Sequence, residues 1–242
     1  MKNLISLART TLFMAAVLAG VTRPALADFS ATFTSGATVP DGSFIGLNDT
    51  RNLTGVPFNT ITDVNVRMNV SGGWNGDLYA YLVHNSGFAV LLNRVGRSSS
   101  SSFGYGDAGF DVTFDAQNVA TYDFHYYQLQ GGSITGGANW RPDGRNISPT
   151  SSGATFDSTS PSALLTSFNG INPNGNWTLF VADVSGGSTS VLSSWGLDIA
   201  GINVAAVAEP GSVVEGSLAA LFLGAIVGVV RRKGPKAAPS PV

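Results

Sequence analysis

Two histidines, His84 and His125, are the only imidazoles in the 242-residue chain, and there is no cysteine. A histidine base needs a nucleophile placed beside it. The chain has no G-x-S-x-G elbow and none of the separated Asp, His and Ser motifs of a subtilisin-type triad. His84 ends a strand-like run before "NSG", and His125 sits in the aromatic run "TYDFHYYQLQ"; both read as structural. Lack of cysteine removes disulfides, thiolate metal sites and thiol nucleophiles together. No spacing among the many aspartates singles out a glycosidase-like carboxylate pair. No enzyme is therefore expected. The chemistry left is oxygen ligation and ring stacking. Asp107, Asp111 and Asp115 flank the turn "GYGDAGFD", and several such oxygens at one place suit Ca²⁺. No EF-hand spacing occurs, and the same aspartates serve equally as turn caps. Tyr79, Tyr81, Tyr105, Tyr126, Tyr127 and Trp140 would stack on sugar rings if exposed, or would cover core edges if not.

The elements that must position these residues read as strands. Gly is abundant at 30 residues and charged residues are sparse at 12%, the balance produced by short strands joined by Gly/Ser/Asn/Asp turns. "ITDVNVRMNV" alternates, with Val64, Val66, Met68 and Val70 on one face and Asn65, Arg67 and Asn69 on the other. Period two with polar partners predicts a strand with one wet side. "GDLYAYLVH" has apolar residues on both sides and is placed centrally, and "DFSATFT", "FAVLLN", "FDVTFD" and "TYDFHYYQLQ" continue the series. "SALLTSFNG" suits one helical turn. "RSSSSSFGYGDAG" and "GGSITGGANWRPDGRNISPTSSGATFDSTSP" read as long loops. Trp177, Leu179 and Val181 share a face of one strand, and Trp195, Leu197 and Ile199 share a face of another. The link "SGGSTS" allows the two strands to pair directly or through a third, with both tryptophans in one core. The expected fold is all-β: an antiparallel β-sandwich or jelly roll.

These motifs resemble the P domain (P/Homo B domain), the β-sandwich found after the catalytic domain of kexin- and furin-like subtilisin proteases. The resemblance covers residues 36–200. "VPDG" at 39–42 is similar to its opening, "ITDVNVRMNVSGGWNGDLYAYLVHNSG" to its core, and "VTFDAQ" to a strand in which Ala116 stands where a second aspartate is common. "FNGINPNGNWTLFVADVSGGSTSVLSSWGLDI" follows its closing segment most closely. Asp77 and Asp183 occupy positions of these motifs and join Asp107, Asp111 and Asp115 as candidate Ca²⁺ ligands. The resemblance implies association with a serine endopeptidase, although this chain lacks the triad.

The two ends read as addresses. Lys2 and Arg9, the apolar "TLFMAAVLAGV" and "ALA" before Asp28 predict a signal peptide over 1–27. Residues 28–207 form the sandwich. Residues 208–236 hold Ala208-Glu209-Pro210, an 18-residue apolar run over about 213–230, and the basic Arg231, Arg232 and Lys233; 237–242 is a tail. The run is near the lower limit for a spanning helix, about 17–25 residues, and the basic cluster would stay cytoplasmic. The segment is either a plain membrane anchor or a sorting signal that resembles PEP-CTERM, with Ala208 replacing the first proline. The second reading implies an exosortase-type partner, a precursor inserted in the inner membrane, and release to the cell surface or matrix. Between 28 and 210 there are six arginines against thirteen aspartates and one glutamate, a net of about −8. That balance excludes nucleic acid and anionic lipid as partners of the body. The reading is an exported, non-catalytic module for binding or support. The alternatives are an accessory to a separate subtilisin-like protease and a binder of surface polysaccharide. Mass spectrometry of the exported protein should show a chain beginning near Asp28 that lacks the apolar segment; an intact C-terminus would exclude exosortase processing.

Overall fold

The computed structural model describes residues 26–117 and 122–204. Most of the expected signal peptide and the whole sorting segment, including Ala208, Glu209, Pro210, Arg231, Arg232, Lys233 and the apolar run, lie outside the described residues. Among the described residues, no helix is long and apolar enough to cross a membrane.

The described chain is an all-β sandwich of nine strands in two sheets. Strands β1 (Ala27–Thr38), β3 (Thr60–Gly72), β6 (Phe110–Asp115), β7 (Ala138–Trp140) and β9 (Ser190–Ile202) make a five-stranded sheet in the order β1-β9-β3-β6-β7. Strands β2 (Ser43–Leu53), β4 (Leu78–His84), β5 (Gly87–Asn93) and β8 (Gly175–Asp183) make a four-stranded sheet in the order β2-β8-β4-β5. All pairs are antiparallel except β6 with β7, which run parallel.

Alternation decides which side chains meet between the sheets. Val64, Val66, Met68 and Val70 of β3 face Leu78, Ala80 and Leu82 of β4 in one continuous core, with Asn65, Arg67 and Asn69 outside. The two tryptophan strands do not pair. β8 enters the four-stranded sheet and β9 the five-stranded one, so the link 184–189 crosses between sheets. Trp177, Leu179 and Val181 then meet Trp195, Leu197 and Ile199 from opposite sides of the same core, all essentially buried. The crossing also explains the spacing. A hairpin would put both tryptophans on one sheet, whereas a crossing gives each sheet one large ring with which to fill the gap. Trp177 Nε1 donates to Pro173 O at 2.9 Å, which ties the turn before β8 to the core.

"GDLYAYLVH" is central as expected: β4 lies between β8 and β5. "TYDFHYYQLQ" is not a strand. It folds as a 3-10 turn over Phe124–Tyr126 followed by α1 (Tyr127–Gln130). Phe124 and Tyr127, three residues apart, both enter the core, which a strand's two-residue period does not allow. The Asp123 carboxylate accepts from His125 N–H at 3.0 Å and starts the turn. The second of the two long loops carries structure of its own: β7, and α2 (Gly153–Ser158) capped by Ser152. Trp177→Ala is expected to lower unfolding free energy by about 3–5 kcal/mol, read from the midpoint of a denaturant titration with its slope unchanged.

Candidate functional site

The loops after β5 and after α1 meet at one end of the sandwich. Their anchor is a buried charged network. His125 Nδ1 lies 2.6 Å from Asp143 Oδ2, and both side chains are fully buried. Arg145 Nη1 donates to Asp143 Oδ1 at 3.0 Å and reaches Asp123 Oδ2 at 3.3 Å, where Arg141 Nη2 arrives at 3.1 Å. Burial pushes the Asp143 carboxyl up, but the hydrogen bond and charge of His125 and the charge of Arg145 outweigh it. The group is held below the ordinary carboxylate range. Asp143 also accepts from Asn93 N–H at 3.3 Å, and Asn93 Nδ2 donates to Arg145 O and Ile147 O at 3.1 and 3.0 Å. The network therefore fastens the segment 141–147 to the end of β5.

On this anchor stands a cleft of about 330 Å³, lined by Ser98, Ser100, Ser101, Tyr105, Tyr126 and Asp157 among others. Gly96 N–H donates to His125 O at 2.8 Å, and Tyr105 N–H to Val95 O at 2.9 Å. Arg97 Nε donates to Ser151 O at 3.1 Å, and its guanidinium lies 5.8 Å from the Phe156 ring centroid. Ser99 N–H donates to Asp157 Oδ2 at 2.9 Å, joining the serine loop to α2. Gly76 lets this loop close: a Cβ there would stand 2.6 Å from Phe103 O and Tyr105 N. The Tyr126 ring lies 5.1 Å from the Arg145 guanidinium. Phe103 and Leu129, 75% and 80% exposed, stand at the same end. The cleft thus has tyrosine walls, serine hydroxyls and one carboxylate over a rigid floor.

Neither histidine is arranged as a base toward an open cleft. Besides Asp143, His125 meets Arg97 O at 3.0 Å through Nε2. His84 is fully buried and stacks on Trp177 at 4.0 Å. Its ring nitrogens lie 2.9 and 2.7 Å from Asn176 O and Asn172 O. Among the described residues, no serine is bonded to either ring.

The five aspartates considered for Ca²⁺ go to three places. Asp77 and Asp183 face one another across the start of β4 and the end of β8, where Leu78 and Asp183 are register partners. The cation beside them is an arginine: Arg94 Nη2 lies 3.3 Å from Asp77 Oδ1, and Arg94 Nε donates to Gly76 O at 2.5 Å. Asp107 accepts from Tyr127 OH at 2.8 Å and from Gln128 Nε2 at 2.5 Å. Asp111 and Asp115 stand on β6 opposite Asn69 and Asn65, and Asp115 accepts from Gln117 N–H at 2.8 Å as a turn cap. Among the described residues, no three Asp, Glu or His side chains group as a metal would need. Of the six aromatics, Tyr127 and Trp140 are buried in the core, while Tyr79, Tyr81, Tyr105 and Tyr126 are half-buried.

Sequence reasoning missed Asp143 and Arg145. They lie in "RPDGR" (141–145), whose Pro-Asp-Gly reads as a turn. The available signal was charge: two of the body's six arginines flank an aspartate within five residues of a polar, uncharged stretch.

No protein-family model and no curated protein matches the chain. Among solved structures it is similar to the serine protease of Aeromonas sobria. One structure holds that protease with the chaperone ORF2 (TM-score 0.42, 18% identity, 75% of this chain and 28% of that one). A second structure of the protease gives a TM-score of 0.41 at 18% identity, over 76% of this chain and 29% of that one. This chain thus corresponds to under a third of the length of those chains.

Asp183 gives the network at the other carboxylate pair a pH signature. Burial pushes its carboxyl up to about 6, with Asp77 and Asp41 adding like charge against hydrogen bonds from Ser185 and Ser190. The folded state then holds a proton that the unfolded state has lost, so this group's contribution to stability falls as pH rises from about 4 to 6 and stays low above. Asp183→Asn should match the parent below pH 4 and exceed it in stability at neutral pH, measured by denaturant titrations across that range.

Proposed function

We propose that this protein is an exported, non-catalytic binding module of the cell surface or extracellular matrix, and that its partner is taken at the loop end of the sandwich. The observation that carries the reading is the fate of His125. A histidine–carboxylate pair sits under a tyrosine- and serine-lined cleft, yet it is wholly buried and both ring nitrogens are occupied. Its role is to hold the floor, with the exposed Phe103 and Leu129 and the half-buried Tyr105 and Tyr126 as the contact surface. Exposed apolar groups rimmed by hydroxyls suit binding of another molecule. The predicted signal peptide and sorting segment support export, and an exosortase would release the module from the membrane.

A second reading follows from the resemblance of residues 36–200 to the P domain. In that reading the partner is a separate subtilisin-like protease, and the module supports proteolysis without performing it.

The full chain, immobilised from detergent, should capture a component of its host's envelope extract, with protein and polysaccharide both read in the eluate. Capture should fall severalfold with Phe103→Ser/Leu129→Ser, exposed positions whose change leaves the core intact. A retained serine protease would favour the accessory reading. Equal capture by parent and variant would remove the loop end as the binding surface.

A further inference from the structure

The outer face of the four-stranded sheet carries a second surface, independent of the loop end. Alternation puts Tyr79, Tyr81 and Val83 of β4, Thr178 and Phe180 of β8, and Asn48, Thr50 and Asn52 of β2 on the side away from the core. Phe180 is nearly buried but stands outside the core cluster. It is covered by its neighbours on this face. Its ring stacks on Tyr81 with centroids 4.6 Å apart and planes 16° from parallel, and Tyr79 meets it edge-on at 6.3 Å. Phe88 of β5 extends the row, 5.3 Å from Tyr81. Gly46, at φ +62°, keeps the β2 end of the row open to Phe180, since a Cβ there would stand 2.6 Å from its Cζ.

Beside the rings runs a row of neutral hydrogen-bonding groups. Thr50 Oγ1 and Thr178 Oγ1 lie 2.8 Å apart, and Asn52 Nδ2 donates to Asn176 Oδ1 at 2.7 Å. Asn48 is the register partner of Phe180 and is exposed. None of these side chains is charged. The contrast with the five-stranded sheet is sharp: its strands β1, β3, β6 and β9 carry Asp28, Asp63, Asp111, Asp115 and Asp198, and Arg67 pairs with Asp198 at 2.9 Å. In a body of net charge about −8, the outward residues named on this face are all uncharged.

We propose that this face binds a neutral polysaccharide chain. Sugar rings present C–H faces that suit the solvent-facing parts of the Tyr79, Tyr81 and Phe88 rings, one face of Tyr81 being already stacked on Phe180. Their hydroxyls donate and accept, as do the amides and hydroxyls of Asn48, Thr50, Asn52 and Asn176. A nucleic acid or anionic lipid needs cations, and the face has none. A hydrocarbon surface would desolvate Asn48 and the hydrogen-bonding capacity that the Thr50–Thr178 and Asn52–Asn176 pairs leave unused. An uncharged, extended ligand rich in hydroxyls satisfies both rows at once.

Affinity electrophoresis tests this with the full chain in a neutral detergent, through gels holding a soluble β-glucan, a mannan or a polyuronate. The neutral polymers should retard the protein, equally at low and molar salt, and the polyuronate should not. Tyr81→Ala should weaken retardation about tenfold. Asn48→Ala/Asn52→Ala, which changes only exposed side chains, should weaken it severalfold with an unchanged melting temperature. Should Tyr81→Ala fail to fold, the asparagine variant decides. No retardation by either neutral polymer, retardation by the polyuronate alone, or retardation untouched by the asparagine variant would overturn the proposal. None of these outcomes bears on capture at the loop end, which Phe103 and Leu129 report.

Discussion

One buried carboxylate, Asp143, holds the irregular third of this sandwich in place. It joins His125 of the turn after β6, Arg145 of its own loop and the backbone of Asn93 at the end of β5. His125 and Arg145 bring segments that have no sheet to fix them, and Asn93 ties them to β5. Removing two charges from water is costly, and such a pair is worth its burial only when every remaining donor and acceptor is matched. Here most of the matching groups come from two loops and the end of β5, with Arg145 Nε, Arg141 Nε and Asn93 Oδ1 left without a hydrogen-bond partner, so the network forms only when those segments are together. A shape that strands alone would leave undefined thus becomes fixed, and the cleft above it inherits that rigidity.

The regular part depends on a different device. Two consecutive strands, each with one tryptophan, are sent to opposite sheets by the short link 184–189. Trp177 and Trp195 then fill the gap between sheets from both sides. Arg51 adds a clasp at the rim: it pairs with Asp49 at 2.5 Å, donates to Thr34 O at 3.1 Å and lies 5.4 Å from the Phe33 ring. Burial raises the Asp49 carboxyl, yet the hydrogen bond and charge of Arg51 bring it below its usual range. A β2 side chain is thereby tied to β1 of the other sheet.

The two outer faces have separated in character. Carboxylates gather on the five-stranded sheet, while the four-stranded sheet keeps rings and neutral polar pairs. This segregation arises from the same two-residue period that builds the core, because each strand must spend its alternate residues on one outer face. Charge repels like-charged ligands from one side, and the other side is left open to uncharged ones.

Much of the architecture was legible in order of residues. The alternation in 61–70 and 78–84 and the paired Trp-x-Leu-x-Val/Ile runs identify strands, their inward faces and a sandwich, because a half-buried strand has no other pattern available to it. The lack of cysteine and the scarcity of histidine narrow the chemistry in the same direct way. Partner choice was not legible. That β8 and β9 part company, that Phe124 and Tyr127 take a turn rather than a strand, that β6 and β7 run parallel, and that Asp143 finds His125 eighteen residues away all depend on contacts distant in sequence. Local pattern records what a residue's neighbours along the chain require, namely which side is wet. Which distant carboxylate meets which base, and whether a tyrosine is roofed or open, is fixed only when packing brings the segments together and desolvation makes one pairing cheaper than the rest.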